Sequence, residues 1–143
     1  MSTRSQIIIK DQYNEQWFYR HSDGYPEGNL PQLFKFMSWL KEGKIRNNVG
    51  QSSGWLILIG AEEYKEYQDN KPFTPKDWKV GAYELCPHRS MHGDIEWLYI
   101  IDLEENTISI QEIRSSEEYK FTYDELKRYK GKWEKIRDLF TEG

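Results

Sequence analysis

Cysteine is almost missing from this sequence: Cys86 stands alone. One cysteine forms no intrachain disulfide, which excludes the stapled frameworks of small secreted domains. Long apolar runs are missing as well. The longest, residues 55–59, falls far short of the roughly 20 residues that span a bilayer. No apolar stretch of the signal-peptide kind opens the chain. A cytoplasmic protein without membrane contact is therefore expected. No P-loop, Rossmann glycine pattern or Gly-x-Ser-x-Gly elbow appears, so the common motif-marked nucleotide enzymes and serine hydrolases have no support. An excess of basic charge is lacking too. A formal net charge of −4 argues against a general nucleic-acid binder, whose footprint is usually a basic field.

What is present is aromatic. Hydrophobic residues make up only 37% of the chain, yet aromatics reach 15%. Disordered chains are poor in aromatics, so a true core of few, large side chains is implied. The 143 residues fit a single globular domain, 1–143, with no repeat and no low-complexity tract. Half-polar aromatic surface of this kind also suits homo-oligomerisation, with no number fixed. Charge is unevenly spread. Six basic residues (Lys127, Arg128, Lys130, Lys132, Lys135, Arg137) face only Glu134 between positions 127 and 137, whereas residues 102–118 hold six acids against Arg114 alone. Such runs are commonly solvated helix faces.

Local patterns order the chain. Residues 6–10 and 16–21 read as an N-terminal hairpin. A helix follows with Asn29 as N-cap and Pro31 in its first turn. It carries Leu30, Leu33, Phe34, Met37 and Leu40 on one face and stops at Gly43. Ser52 or Ser53 would cap a second helix through the run 55–59, although that run also suits a buried strand. Residues 69–76 read as a linker, 78–85 as a strand and 86–94 as a loop. Residues 95–103 and 107–113 read as a second hairpin, with a short strand at 119–122. A basic helix over about 123–140 then starts near Tyr123, capped by Thr122, with Gly131 as a break. The grouping implies an α+β fold. It is expected to be an antiparallel sheet of about five strands, in the order ββααβββα, with helices packed on one face.

Two polar segments are candidates for a site. In Arg20-His21-Ser22-Asp23-Gly24-Tyr25-Pro26-Glu27-Gly28, His21 and Asp23 would share a proton or a metal, and Arg20 would contact an anion. The bland alternative is a structured turn in which Asp23 caps backbone N–H groups and Gly24 takes positive φ. In Cys86-Pro87-His88-Arg89-Ser90-Met91-His92-Gly93-Asp94-Ile95-Glu96, the metal candidates are His92, Asp94 and Glu96, with His88 beside them. A divalent cation held there would activate water. The bland alternative is a self-satisfied loop turning at His92-Gly93-Asp94. Nothing marks Cys86 as an activated nucleophile. Aromatics such as Trp17, Tyr19, Tyr25, Trp55, Trp78, Tyr83, Trp97 and Tyr99 would stack a base or build the core.

The segments Arg20 to Gly28, Ser53-Gly54-Trp55-Leu56-Ile57 and His92-Gly93-Asp94-Ile95-Glu96-Trp97-Leu98-Tyr99 resemble small proteins of bacteriophages and other prokaryotic mobile elements that have no assigned activity. The resemblance covers roughly residues 6–113 and excludes the C-terminal basic helix. The loop before His-Gly-Asp varies in such proteins, which favours His92, Asp94 and Glu96 over Cys86 and His88. It implies a host-cytoplasmic protein that acts by binding, blocking a host protein or sequestering a small signalling molecule.

Three functions follow. The first is a non-enzymatic binding protein, an accessory or counter-defence factor that takes a host protein or a small anionic, nucleotide-like ligand. Its contacts would be Arg20, His21, Asp23, Tyr25, Arg46, His92 and Asp94. The second is a metal-dependent hydrolase of a phosphodiester or nucleotide, with His21, Asp23, His92, Asp94 and Glu96 as its catalytic set. The third is a nucleic-acid binder acting through the C-terminal basic helix.

Overall fold

Ile7, Ile8 and Ile9 are almost wholly buried, and their strand, β1 (Ser5–Lys10), lies inside the sheet. The computed structural model describes residues 3–65 and 82–140. The expected linker at 69–76 and the first part of the expected strand at 78–85 lie outside the described residues. The other strands are β2 (Glu15–Arg20), β3 (Glu84–Cys86), β4 (Trp97–Asp102), β5 (Thr107–Glu112) and β6 (Glu118–Thr122). The helices are α1 (Pro26–Lys41), α2 (Val49–Lys65), α3 (Tyr123–Lys127) and α4 (Glu134–Phe140).

The α+β class is as expected, but the sheet differs in detail. Among the described residues it has six strands, in the order β3-β2-β1-β4-β5-β6, and it is mixed rather than purely antiparallel. β1 pairs antiparallel with β2, setting Ile7 opposite Phe18, and parallel with β4, setting Ile7 beside Tyr99. All remaining neighbours are antiparallel. Strand patterns reveal which face a residue takes but not which strand lies beside which. Here residues 87–96 carry the chain from edge strand β3 past β2 and β1 to β4.

Alternation divides the sheet residues cleanly. Ile7, Ile9, Phe18, Tyr99, Ile101, Ile108, Ile110 and Phe121 join the helices in one core. All four helices contribute to that core, so they occupy one face. Gln6 alternates with Ile7 and therefore faces the other way. Its amide donates to the Ser90 carbonyl (3.1 Å), and its Oε1 accepts from His92 N–H (3.0 Å). The crossing segment therefore lies over the face opposite the helices.

Both long helices start at other residues than their capping signals imply. α1 begins at Pro26, not after Asn29. Proline at the first position lacks only an N–H that has no partner there, and its φ is preset. The Tyr25 carbonyl accepts from the Gly28 and Asn29 amides, both at 3.0 Å. Pro31 thus falls a turn inside and leaves the Glu27 carbonyl without its helical donor. α2 begins at Val49, and its cap is Asn48 rather than Ser52 or Ser53. Asn48 Oδ1 accepts from Gln51 N–H (2.8 Å), and the Ser52 hydroxyl donates back to the Asn48 carbonyl (2.7 Å). The buried stripe of α2 is Val49, Ser52, Ser53, Leu56, Ile59 and Gly60, whereas Trp55 and Leu58 are exposed. Small residues share the inner face with Val49, Leu56 and Ile59 while two large apolar ones face outward, so the hydrophobic pattern alone does not separate helix from strand.

The C-terminal basic segment is two short helices, parted at the expected break at Gly131. Thr122 caps α3 with a full capping box: its Oγ1 accepts from Glu125 N–H (3.2 Å), and Glu125 Oε1 accepts from Thr122 N–H (2.9 Å). Gly131 at φ +81° breaks the run before α4, a conformation that side chains with a Cβ resist.

Candidate functional site

The first polar segment leaves the end of β2, where alternation turns Arg20 toward the helices. Arg20 is fully buried. Its two terminal nitrogens donate to the Glu63 carboxylate at 2.7 and 2.5 Å, and Nε donates to the Ser22 carbonyl at 2.6 Å. The guanidinium lies 5.3 Å from the Tyr83 ring centre. Burial pulls its pKa down, but the Glu63 hydrogen bonds reverse this and hold it above its ordinary value. Arg20 is thus consumed in joining β2 to α2, and with no exposure it is closed to a ligand anion.

Around it, Tyr99 donates to the Gly24 carbonyl (2.7 Å) and Tyr83 to Asn29 Oδ1 (2.5 Å). Asp23, not Gly24, takes the positive φ, at 57°. Glycine is needed at 24 for another reason: a Cβ there would sit 2.6 Å from Ser5 Oγ. Tyr25 donates to Asp23 Oδ1 (3.3 Å), and Arg137 of α4 lies 5.5 Å from the Tyr25 ring centre while pairing with Glu27 (3.2 Å). This segment is a braced turn.

The second segment meets the first through one residue, Tyr19. Its hydroxyl is 3.0 Å from His21 Nδ1, and its ring stacks on His92 at 4.6 Å and 17°. Burial raises the Tyr19 pKa, keeping it a neutral phenol. Asp94 pairs with Arg4 at 3.3 Å. Cys86 Sγ lies 4.0 Å from His92 Nε2, and burial pushes its thiol pKa up. A raised pKa disfavours the thiolate that a nucleophile requires. The Glu96 side chain is exposed. Among the described residues, no three His, Cys, Asp or Glu side chains gather closely enough to hold a metal ion. Of the residues expected to form one catalytic set, only His21 and His92 meet, at Tyr19, whereas Asp23 bonds Tyr25, Asp94 pairs with Arg4 and Glu96 is exposed.

Several of the aromatics weighed for stacking are core: Tyr19, Tyr83, Trp97 and Tyr99 are buried. Arg46 is exposed between α1 and α2.

The more open chemistry lies in the helical layer. The Phe34 and Tyr123 rings stack at 5.4 Å and 7°, and Ser38 Oγ lies 3.0 Å from the Tyr123 hydroxyl. These contacts lock α1 against α3. They leave a groove of about 380 Å³ lined by Lys35, Lys44, Lys127 and Lys130, with Trp39 and Tyr123 in its walls. Its one carboxylate, Glu42, is 2.8 Å from Lys44. The opposite side of α3 and of the turn after it lines a second groove of about 620 Å³, where Arg128, Lys132 and Lys135 stand with Tyr129 and with the carboxylates of Glu125 and Asp138. Among the described residues, no carboxylate lies within ion-pair distance of Lys127, Arg128, Lys130, Lys132 or Lys135.

The chain matches no protein-family model, no curated protein and no solved structure.

Sequence reasoning noticed the basic run but not its α1 partners. Lys35 and Trp39 stand four apart in the helix, and Lys35 Nζ lies 5.1 Å from the Trp39 ring centre. That spacing is a legible signal for a shared face. Convergence with Lys127 and Lys130 is not.

Proposed function

We propose that this is a small binding protein whose contact surface is the lysine-lined groove between α1 and α3, and whose partner there is anionic. The observation that carries the reading is the convergence of Lys35 and Lys44, paired with Glu62 and Glu42, with Lys127 and Lys130, which have no carboxylate within ion-pair distance among the described residues. Gathering like charges costs free energy that an anionic partner returns. The resemblance to phage and mobile-element proteins supports the same direction: an accessory or counter-defence factor that holds a host protein or a nucleotide-like molecule. The residues first expected to contact the ligand, Arg20, His21, Asp23, Tyr25, His92 and Asp94, act in this reading as framework. Arg46 is a peripheral cation.

The test is calorimetric titration with inorganic tripolyphosphate at low salt, on the unaltered protein and on the double variant Lys127→Glu/Lys130→Glu. Binding that weakens at least ten-fold in the variant, about 1.4 kcal/mol, supports the reading. Equal binding by both proteins, or binding by neither, refutes it.

A further inference from the structure

The two grooves share α3 and the turn after it, residues 128–132, as a common wall. Tyr123, Lys127 and Lys130 face one groove, and Glu125, Arg128, Tyr129 and Lys132 face the other. Cations therefore line both sides of this wall, which extends the charged surface beyond the first groove. Each groove also offers a half-buried aromatic, Trp39 or Tyr123 in one and Tyr129 in the other. The acids Asp102, Glu104, Glu105, Glu112, Glu117 and Glu118 belong to the β4–β6 strands and their turns, whereas residues 127–137 carry six cations against Glu134, with Asp124, Glu125 and Asp138 beside them on α3 and α4.

We infer that the partner of this surface is single-stranded nucleic acid, its phosphates following the lysines around α3 and its bases stacking on Trp39 and Tyr129. The inference rests on the anionic-partner reading and narrows it. A small anion would fill one groove and leave the cations of the other unused. An acidic peptide would use the charges but not the aromatic walls. A sequence-tolerant single strand uses both, because every base has a π-face.

The experiment is fluorescence anisotropy with a labelled fifteen-residue oligothymidylate across a salt series. Unlabelled tripolyphosphate and polyglutamate serve as competitors. Four to six phosphate contacts give a slope of log K against log salt of about −3 to −4. Lys130→Gln and Lys135→Gln, one in each groove, should each flatten it by about 0.7. Trp39→Leu, checked for folding by circular dichroism, should weaken binding about ten-fold and leave the slope unchanged. Two results overturn the inference while leaving the anionic surface standing: polyglutamate competing as well as the oligonucleotide at equal charge, or a slope that responds to Lys130→Gln alone. If neither the oligonucleotide nor tripolyphosphate binds at low salt, both readings fall together. The lysine variants are at exposed positions, so their result does not depend on Trp39→Leu folding.

Discussion

Removing the carboxylate of Glu63 should be among the most damaging single changes in this protein. Arg20 has no exposure, and its pairing side chain Glu63 is only 9% exposed. In Glu63→Ala, both Arg20 hydrogen bonds to the carboxylate disappear, while the Nε bond to the Ser22 carbonyl stays. A buried cation is then left without its counter-charge, which costs about 3–5 kcal/mol. At a urea m-value of about 2 kcal/mol/M, the midpoint should fall by roughly 2 M. The double variant Arg20→Met/Glu63→Met removes both charges and keeps most of the volume. It should recover most of the loss, because replacing a buried pair with apolar residues is often neutral. Urea unfolding followed by circular dichroism measures all three proteins. A loss below about 1 kcal/mol for Glu63→Ala, or a double variant no better than Glu63→Ala, would refute the view that this pair is desolvated and coupled. The same proteins, where folded, should bind tripolyphosphate like the unaltered chain, since Arg20 faces no ligand groove.

Other outcomes follow from the same contacts. Gly24→Ala places a Cβ 2.6 Å from Ser5 Oγ, and thermal unfolding should report a loss of about 1–3 kcal/mol from overpacking. Burial holds the Tyr99 pKa well above its ordinary value. For a pKa raised on folding, the stabilisation is complete below the unfolded value of about 10 and is lost as pH rises toward the folded one. Stability should therefore fall above about pH 10, with Tyr99 ionising only on unfolding. A Tyr99→Phe protein with the same alkaline slope would count against this. Thr122→Ala removes the side-chain acceptor of the α3 capping box and should cost about 1 kcal/mol in chemical denaturation. Cys86 is buried with a raised pKa, so its alkylation near neutral pH should be slow in the native state and fast in denaturant; rapid native labelling would contradict that placement.

Much of the framework was determined by the sequence alone, because its causes are local. The isoleucines of β1, the apolar face of α1, the cap at Thr122 and the break at Gly131 depend on neighbours a few residues away. Period, capping chemistry and backbone freedom are written at that range. From them follow the α+β class, the two hairpins and helices on one face. Tertiary structure alone decided the rest. Whether β4 lies beside β1 is settled by the path of residues 87–96, and the hydrogen bonds anchoring that path join Gln6 to Ser90 and His92, 84 and 86 positions apart. Arg20 reads as a free cation until a carboxylate 43 residues away closes on it. Trp55 and Leu58 read as core until Ser52, Ser53 and Gly60 take the inner face of α2, where Gly60 packs so closely on Tyr83 that a Cβ would lie 2.5 Å from its ring. The lysines of α1 and α3 became one groove only because Phe34 stacks on Tyr123. Each of these outcomes turns on which distant surface fits which, and the energy that decides it exists only once the chain has closed.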